Sequence, residues 1–402
     1  MHVAVVGNGK MGAAIFRVLA NSSVEAATLY TRNASTAREQ ERKLRKALER
    51  ALRGTVTDDE IRTRAENFRI TDRLEDLAPA DLVIETVSEE YRLKADLFAR
   101  IESIVDENAI LATNTSSISV EKLAGELDHP ERFCGLHFFH PVPMIRLVEV
   151  IKWKGTSTEA IDRAVAFCQG IQRSPIVVGD GPGSAINVIL AHFYVEGLYI
   201  LEEGLALPSQ VDELARRYFY LGPCEAMDVV GIDFFVNALD IFLSGDGWCG
   251  AERNAGAEIP EKVGRGFHPP RLLSALLASD RTGKKVSEGI YRYEKDLPVD
   301  EAPEFYANSP RELGIAPPPP DLLARRLLYS VFNGSLDVLS TSASSPSALD
   351  FGIKEVLLMR EGPFRMMESL GEAEVRQSFD SLAAEVGERF GREEFPIFER
   401  GR

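Results

Sequence analysis

Residues 137–150, HFFHPVPMIRLVEV, set two histidines, His137 and His140, ahead of an alternating apolar run that carries one glutamate, Glu149. A histidine ring exchanges a proton near neutral pH, so either is a candidate general acid or base. A carboxylate inside an apolar run is costly to bury unless something pairs with it. Glu149 therefore asks for a partner.

A second chemical stretch opens the chain. Residues 7–12, GNGKMG, fit G-x-G-x-x-G directly after an apolar run and at the head of a helical pattern. Glycines there permit a tight turn, let backbone approach a pyrophosphate and allow close helix–sheet packing. Gly7, Gly9, Lys10, Met11 and Gly12 are thus expected to hold a dinucleotide. An acidic residue is expected at the end of the second strand to take the ribose 2′-hydroxyl. The segment TLYTRN has Thr31 and Arg32 instead. Arginine is the ordinary partner of a 2′-phosphate, which leaves NAD and NADP both open; Arg32 pointing to solvent is the plain alternative.

The elements that would position these residues follow a βα alternation. HVAVVG, AATLYT, DLVIETV, AILATNT and RFCGLHFF are short Val/Ile/Leu-rich strands separated by helical patterns. They predict a Rossmann-type α/β domain over 1–181, a parallel sheet with helices on both faces. Two charged helices, 34–53 and about 58–67 joined at Gly54, form an expected hairpin insertion over about 34–67. After VVGDGPG at 177–183 the pattern turns all-helical. A proline-rich stretch at 296–320 marks a second boundary, giving helical domains over 182–297 and 298–402. LEEGLALPSQVD at 201–212 matches LSTSASSPSALD at 339–350, an offset of 138, and GPCEAMDVVG at 222–231 matches GPFRMMESLG at 362–371, an offset of 140. This order indicates a tandem helical repeat.

With 402 residues and a formal charge of −16, the chain can bury a large core and repels nucleic acid and anionic membrane. The basic cluster RKLRKALER at 42–50 reads as a solvated helix face or a contact to a phosphorylated ligand. Cys134, Cys168, Cys224 and Cys249 have no C-x-x-C spacing, so no metal site and no disulfide framework are expected, which fits a reducing, cytoplasmic setting. The N-terminus lacks a basic leader pattern. No apolar run is expected to reach bilayer length.

HFFHPVPMIRLVEV resembles the HFFNPVP…LVEV signature of the L-3-hydroxyacyl-CoA dehydrogenases. NTSS at 114–117, DGPGSAIN at 180–187, ETVSEEYRLKADLF at 85–98 and GKKVSEGIYRY at 283–293 are similar to further motifs of that family, in order over about residues 1–297. The doubled helical region looks like that of the multifunctional fatty-acid oxidation proteins, without their hydratase part. The resemblance implies an NAD- or NADP-dependent oxidoreductase interconverting L-3-hydroxyacyl and 3-oxoacyl thioesters. It makes His137 the base and Glu149 its partner, which answers the opening question: the carboxylate would fix the imidazole tautomer.

By the same resemblance, Ser116 and Asn187 would hydrogen-bond the substrate, while Glu89, Lys94, Asn114 and His140 would meet the cofactor. Read alone, Ser116 and Asn114 suit a helix or turn cap, and Glu89 with Lys94 an exposed helix pair. Arg42 and Lys43, with Arg45 and Lys46, are where a CoA nucleotide would be met. Three positions depart from the family: His140 stands for asparagine, Val188 for a frequent arginine, and Ser287 for glycine. An acyl-CoA or acyl-carrier thioester is the expected partner, with a small hydroxy acid as alternative, and a monomer or homodimer the expected assembly. A non-catalytic dinucleotide-binding protein is the reading from another class. Asn187 projected by the repeat offset lands on Arg325, so the second copy is expected to be structural and to cover apolar helices of the first.

Overall fold

The computed structural model describes residues 1–33, 57–181, 183–236, 270–301, 318–342 and 344–399, with isolated positions between. Lys43, Arg45, Gly54 and Cys249 lie outside the described residues. The chain divides into two compact units, Met1–Asp180 and Gly181–Arg402.

The first unit is built on an eight-stranded sheet in the order β3-β2-β1-β4-β5-β6-β7-β8. Its strands are β1 His2–Val6, β2 Ala26–Tyr30, β3 Phe68–Thr71, β4 Leu82–Glu85, β5 Ile110–Thr113, β6 Phe133–Phe138, β7 Leu147–Lys152 and β8 Ser174–Gly179. Val3, Val5, Leu82, Ile84 and Leu136 are fully buried, as strands covered on both faces require. The helices are α1 Lys10–Ala20, α2 Asp58–Asn67, α3 Tyr91–Glu102, α4 Val120–Ala124 and α5 Thr158–Gly170. Helix α2 coincides with the second arm of the expected hairpin.

The expected all-parallel sheet holds from β1 to β6 and then reverses. β7 runs antiparallel to β6, and β8 parallel to β7. Residues 139–146 join β6 to β7, too few for a helical crossover, so the chain turns straight back. The reversal sets Glu149 directly opposite His137 in the strand register.

The second unit is helical: α6 Ala185–Glu202, α7 Pro208–Ala215, α8 Pro223–Val230, α9 Arg271–Ala278, α10 Pro320–Thr341, α11 Pro346–Leu357, α12 Pro363–Leu370 and α13 Glu372–Val386. Contrary to expectation, α6 is long and apolar enough to cross a membrane, but 83% of it is buried inside the unit. Helix α10, from the second copy, packs along it. Residues Gly181–Arg402 form one compact unit, and the two copies of the repeat share its core.

The repeat is reproduced in hydrogen bonds. Asp212 accepts the backbone N–H groups of Cys224 and Glu225 at the start of α8, at 2.9 and 3.0 Å. Asp350 does the same for Phe364 and Arg365 at the start of α12, at 2.8 and 3.1 Å. Each aspartate satisfies donors that a helix start leaves unpaired. A Cβ on Gly222 or Gly362 would collide with the matching carboxylate, which explains the Gly-Pro pair in both copies. The αL conformation of Ser287, at φ 63°, likewise explains why a glycine suits that position.

Asp228 of the first copy is buried and accepts from the Ile290 and Tyr291 amides and the Tyr293 hydroxyl. Burial pushes its carboxyl up from 3.8 to about 6. A raised folded-state value means that the stabilising contribution is complete below about pH 3.8 and is lost as pH rises through about 6. The stability of wild type minus that of Asp228→Asn should therefore fall by roughly 1–3 kcal/mol between about pH 4 and 6 in urea melts. A pH-independent difference would remove this assignment.

Candidate active site

The dinucleotide turn lies at the carboxyl end of β1, where the strand order reverses between β1 and β4. Gly7 has φ 112°, a conformation open to glycine. A Cβ at Gly12 would strike the Gly7 carbonyl oxygen, whereas one at Gly9 would meet nothing within 4 Å. The turn therefore packs tightly beneath and stays open above. Helix α1 begins at Lys10 with Gly9 as N-cap and no side-chain cap, so its first-turn donors are available to an anion. Asn8 Oδ1 is buried without a hydrogen-bond partner. These features fit a bound dinucleotide. Met11 packs partly buried against the core cluster. Thr31 is buried with its amide bonded to the Thr71 carbonyl at 2.9 Å, while Arg32 is exposed.

His137 is the penultimate residue of the fully buried strand β6, with 6% of its surface exposed, and Glu149 on β7 is fully buried. His137 Nδ1 lies 2.7 Å from Glu149 Oε2. The strand register and the bond together answer the question of what pairs with the carboxylate. Phe139 packs edge-on against the imidazole, with centroids 4.6 Å apart. With Nδ1 engaged, Nε2 is the ring atom left to exchange a proton. Asn114, at the end of β5, accepts the Phe138 amide through Oδ1 at 2.8 Å, tying the NTSS turn to the residue beside His137. His140 follows on an exposed loop.

Ser116 lies half-buried in the turn after β5. One carboxylate organises that turn: Glu89 Oε1 accepts from Thr115 Oγ1 at 2.5 Å, the Ser116 and Ser117 amides at 3.0 and 3.1 Å, and Ser117 Oγ at 2.8 Å. Lys94 reaches Glu89 at 3.3 Å and both oxygens of Glu85 at 2.8 and 2.9 Å, and the Glu85 and Lys94 side chains are fully buried. Thr113 donates to Glu85 at 2.7 Å. Burial alone would depress the Lys94 ammonium, but the two carboxylates outweigh it and hold the group above its ordinary value. Burial likewise works against Glu89, and Lys94 with the turn's donors brings its carboxyl below the usual range.

This corrects one expectation. Glu89 and Lys94 are not an exposed helix pair, since Glu89 precedes α3 and Lys94 points back to Glu85 at the end of β4. The Lys94 ammonium is engaged by Glu85 and Glu89 within the fold. Glu85 escaped sequence reasoning, although it carries the same signal as Glu149, a carboxylate in an apolar strand. Asp180 was also missed as a positioning residue: it accepts Ser119 Oγ and the Val120 and Glu121 amides at 2.8, 3.1 and 2.8 Å, anchoring α4 after the NTSS turn.

Asn187 belongs to the second unit, in the first turn of α6, half-buried, with its amide bonded to Ser184 Oγ at 3.3 Å. Arg42 is exposed. Among the described residues no cluster of ligands could hold a metal ion.

Residues 2–181 match the family model described as 3-hydroxyacyl-CoA dehydrogenase, NAD binding domain, and residues 183–293 that described as 3-hydroxyacyl-CoA dehydrogenase, C-terminal domain. The hydroxyacyl-coenzyme A dehydrogenase, mitochondrial, of Rattus norvegicus is 32% identical over 301 residues, 73% of this chain and 91% of that protein. The probable 3-hydroxybutyryl-CoA dehydrogenase of Bacillus subtilis is 29% identical over 297 residues, 73% of this chain and 98% of its own. The crystal structure of 3-hydroxybutyryl-CoA dehydrogenase from Escherichia coli matches 100% of this chain and 98% of that one at a TM-score of 0.82 and 24% identity, a likeness of fold. Its coverage takes in the second helical copy.

Proposed function

The chain belongs to the 3-hydroxyacyl-CoA dehydrogenase family, an oxidoreductase acting on CH–OH with NAD, and from that premise we propose that it interconverts L-3-hydroxyacyl-CoA and 3-oxoacyl-CoA through the His137–Glu149 pair. The buried 2.7 Å contact between His137 Nδ1 and Glu149 Oε2 supports this reading above all other observations. NAD, when bound at the GNGKMG turn, supplies the hydride acceptor.

As the alcohol is oxidised, the hydroxyl proton passes to His137 Nε2 and the carbon–oxygen double bond forms as the C–H bond breaks. Glu149 stabilises the resulting imidazolium through Nδ1 and keeps the neutral ring in the tautomer whose Nε2 can accept. In the reverse direction the same nitrogen returns the proton to the 3-oxo oxygen. Ser116, on a turn whose amides are held by Glu89, is proposed to hydrogen-bond the reacting oxygen. The exposed Arg42 is proposed to meet the nucleotide end of the thioester carrier.

The test is the loss of reduced-nicotinamide absorbance with acetoacetyl-CoA, run in parallel with NADH and NADPH. Turnover with NADH is expected. Preference for NADPH would assign Arg32 to a 2′-phosphate. Protein that binds NADH but turns over acetoacetyl-CoA with neither cofactor would overturn the proposal.

A further inference from the structure

A cavity of about 790 Å³ opens in the first unit, beside α1 and the 140–146 loop and apart from the His137–Glu149 contact. Four basic side chains line it: Lys10 and Arg17 from α1, Arg146 at the end of the link between β6 and β7, and Arg173 from the turn before β8. No carboxylate lines it, and none of the four is in an ion pair among the described residues. That is unusual in a chain of net charge −16, where an unpaired cation would ordinarily find an acid.

The cations are partly committed, but only to backbone. Arg17 Nε donates to the Ala13 carbonyl at 3.1 Å and Arg146 Nε to the Gln172 carbonyl at 3.1 Å. Arg173 Nε is buried with no partner at all. Burial, and then the neighbouring Arg146, push the Arg173 guanidinium below its ordinary value. Two guanidinium groups held near one another without a counter-charge make a standing demand for an anion. Between the cations the floor is apolar, made by Val18, Val142 and Ile171. Such mixed lining, in a cavity of that size, is the usual form of a small-molecule site.

We infer that this cavity, which shares Lys10 and His140 with the expected dinucleotide site, binds a further ligand carrying clustered phosphate groups, held by Arg17, Arg146 and Arg173. Arginine suits the task because its planar fork meets phosphate oxygens in pairs. The apolar floor would accept the organic body of a nucleotide-sized ligand, whereas free polyphosphate would use the cations alone.

The test is calorimetric titration of the full chain, saturated with NAD so that the dinucleotide turn is filled, with ATP, inorganic tripolyphosphate and uncharged adenosine. ATP should bind saturably at one further site, adenosine should not, and affinity should fall as salt is raised. ATP tighter than tripolyphosphate supports the site and gives the floor a role; equal affinities support it as a site for phosphate alone. Arg17→Gln combined with Arg146→Gln should weaken binding about tenfold or more, with NAD affinity and melting temperature at wild-type values. If neither ATP nor tripolyphosphate binds saturably, or if the double variant binds them like wild type, the inference is overturned. Failure of the acetoacetyl-CoA assay would leave this outcome untouched, since no turnover is read.

Discussion

Replacing Glu149 by glutamine is expected to lower kcat for acetoacetyl-CoA reduction by about 10²–10⁴-fold while NADH binding stays at wild-type strength. Glutamine fills the same volume between β6 and β7, so the strand pairing that sets it opposite His137 should persist. What it loses is charge. A neutral amide cannot stabilise an imidazolium, and its amide group can turn toward Nδ1 and favour the wrong tautomer. His137→Ala should lose at least as much, and the double variant little more than His137→Ala alone, because the two residues act as one unit. Turnover of Glu149→Gln within a few-fold of wild type would separate the pair from the chemistry. Equal losses in turnover and in NADH affinity would instead point to a damaged fold.

The second large effect should fall on stability. Lys94→Met keeps a long side chain beside the end of β4 but leaves Glu85 fully buried with no counter-charge. Removing one partner of a buried ion pair costs about 3–5 kcal/mol. Urea unfolding of Lys94→Met should show a loss of that order. Adding Glu85→Gln should recover much of it, since a neutral pair no longer strands a buried charge. A loss below about 1 kcal/mol would mean that water or a rearranged side chain compensates Glu85. The loosened Glu89 should also free the 115–117 turn, which hydrogen exchange at the Ser116 and Ser117 amides would register.

Much of this was visible before any coordinates. The alternation of apolar runs and helical patterns specified the first unit, because a strand buried on both faces has no polar positions to spare. The repeat was visible because a helix start needs an N–H acceptor, and an aspartate ahead of a Gly-Pro pair, by ten residues in the first copy and twelve in the second, supplies it in both. Glu149 stood out by the cost of its position. Glu85 sits equally badly in DLVIETV and went unremarked, since its partner is not a neighbour in sequence but Lys94, reached only when α3 folds back over β4. The direction of β7 was also hidden. Composition alone does not distinguish a strand that continues a parallel sheet from one that turns back, and only the shortness of the 139–146 link carries that information. The cationic cavity left no motif of its own, because its four basic residues, of which only Lys10 belongs to a recognised motif, come from three separate segments of an acidic chain.

The repeat-related helices α6 and α10 meet asymmetrically. Glu196 on α6 is buried against Arg326 on α10, at 2.6 Å. Carried across by the repeat offset of 138, Arg326 corresponds to Val188, the position where the family often has arginine, and Glu196 corresponds to Gly334. A Cβ on Gly334 would press against Ile189 and His192, beside Val188, so the mirror-image contact exists but has lost both charges. Two identical copies meeting about a twofold axis must make every contact twice. Within one chain that obligation does not hold: the Glu196–Arg326 pair has valine and glycine at its repeat-related positions, so the two halves are complementary to each other and not to themselves. An isolated half would therefore carry half of a lock, and cleavage between the halves would not leave two self-complementary pieces.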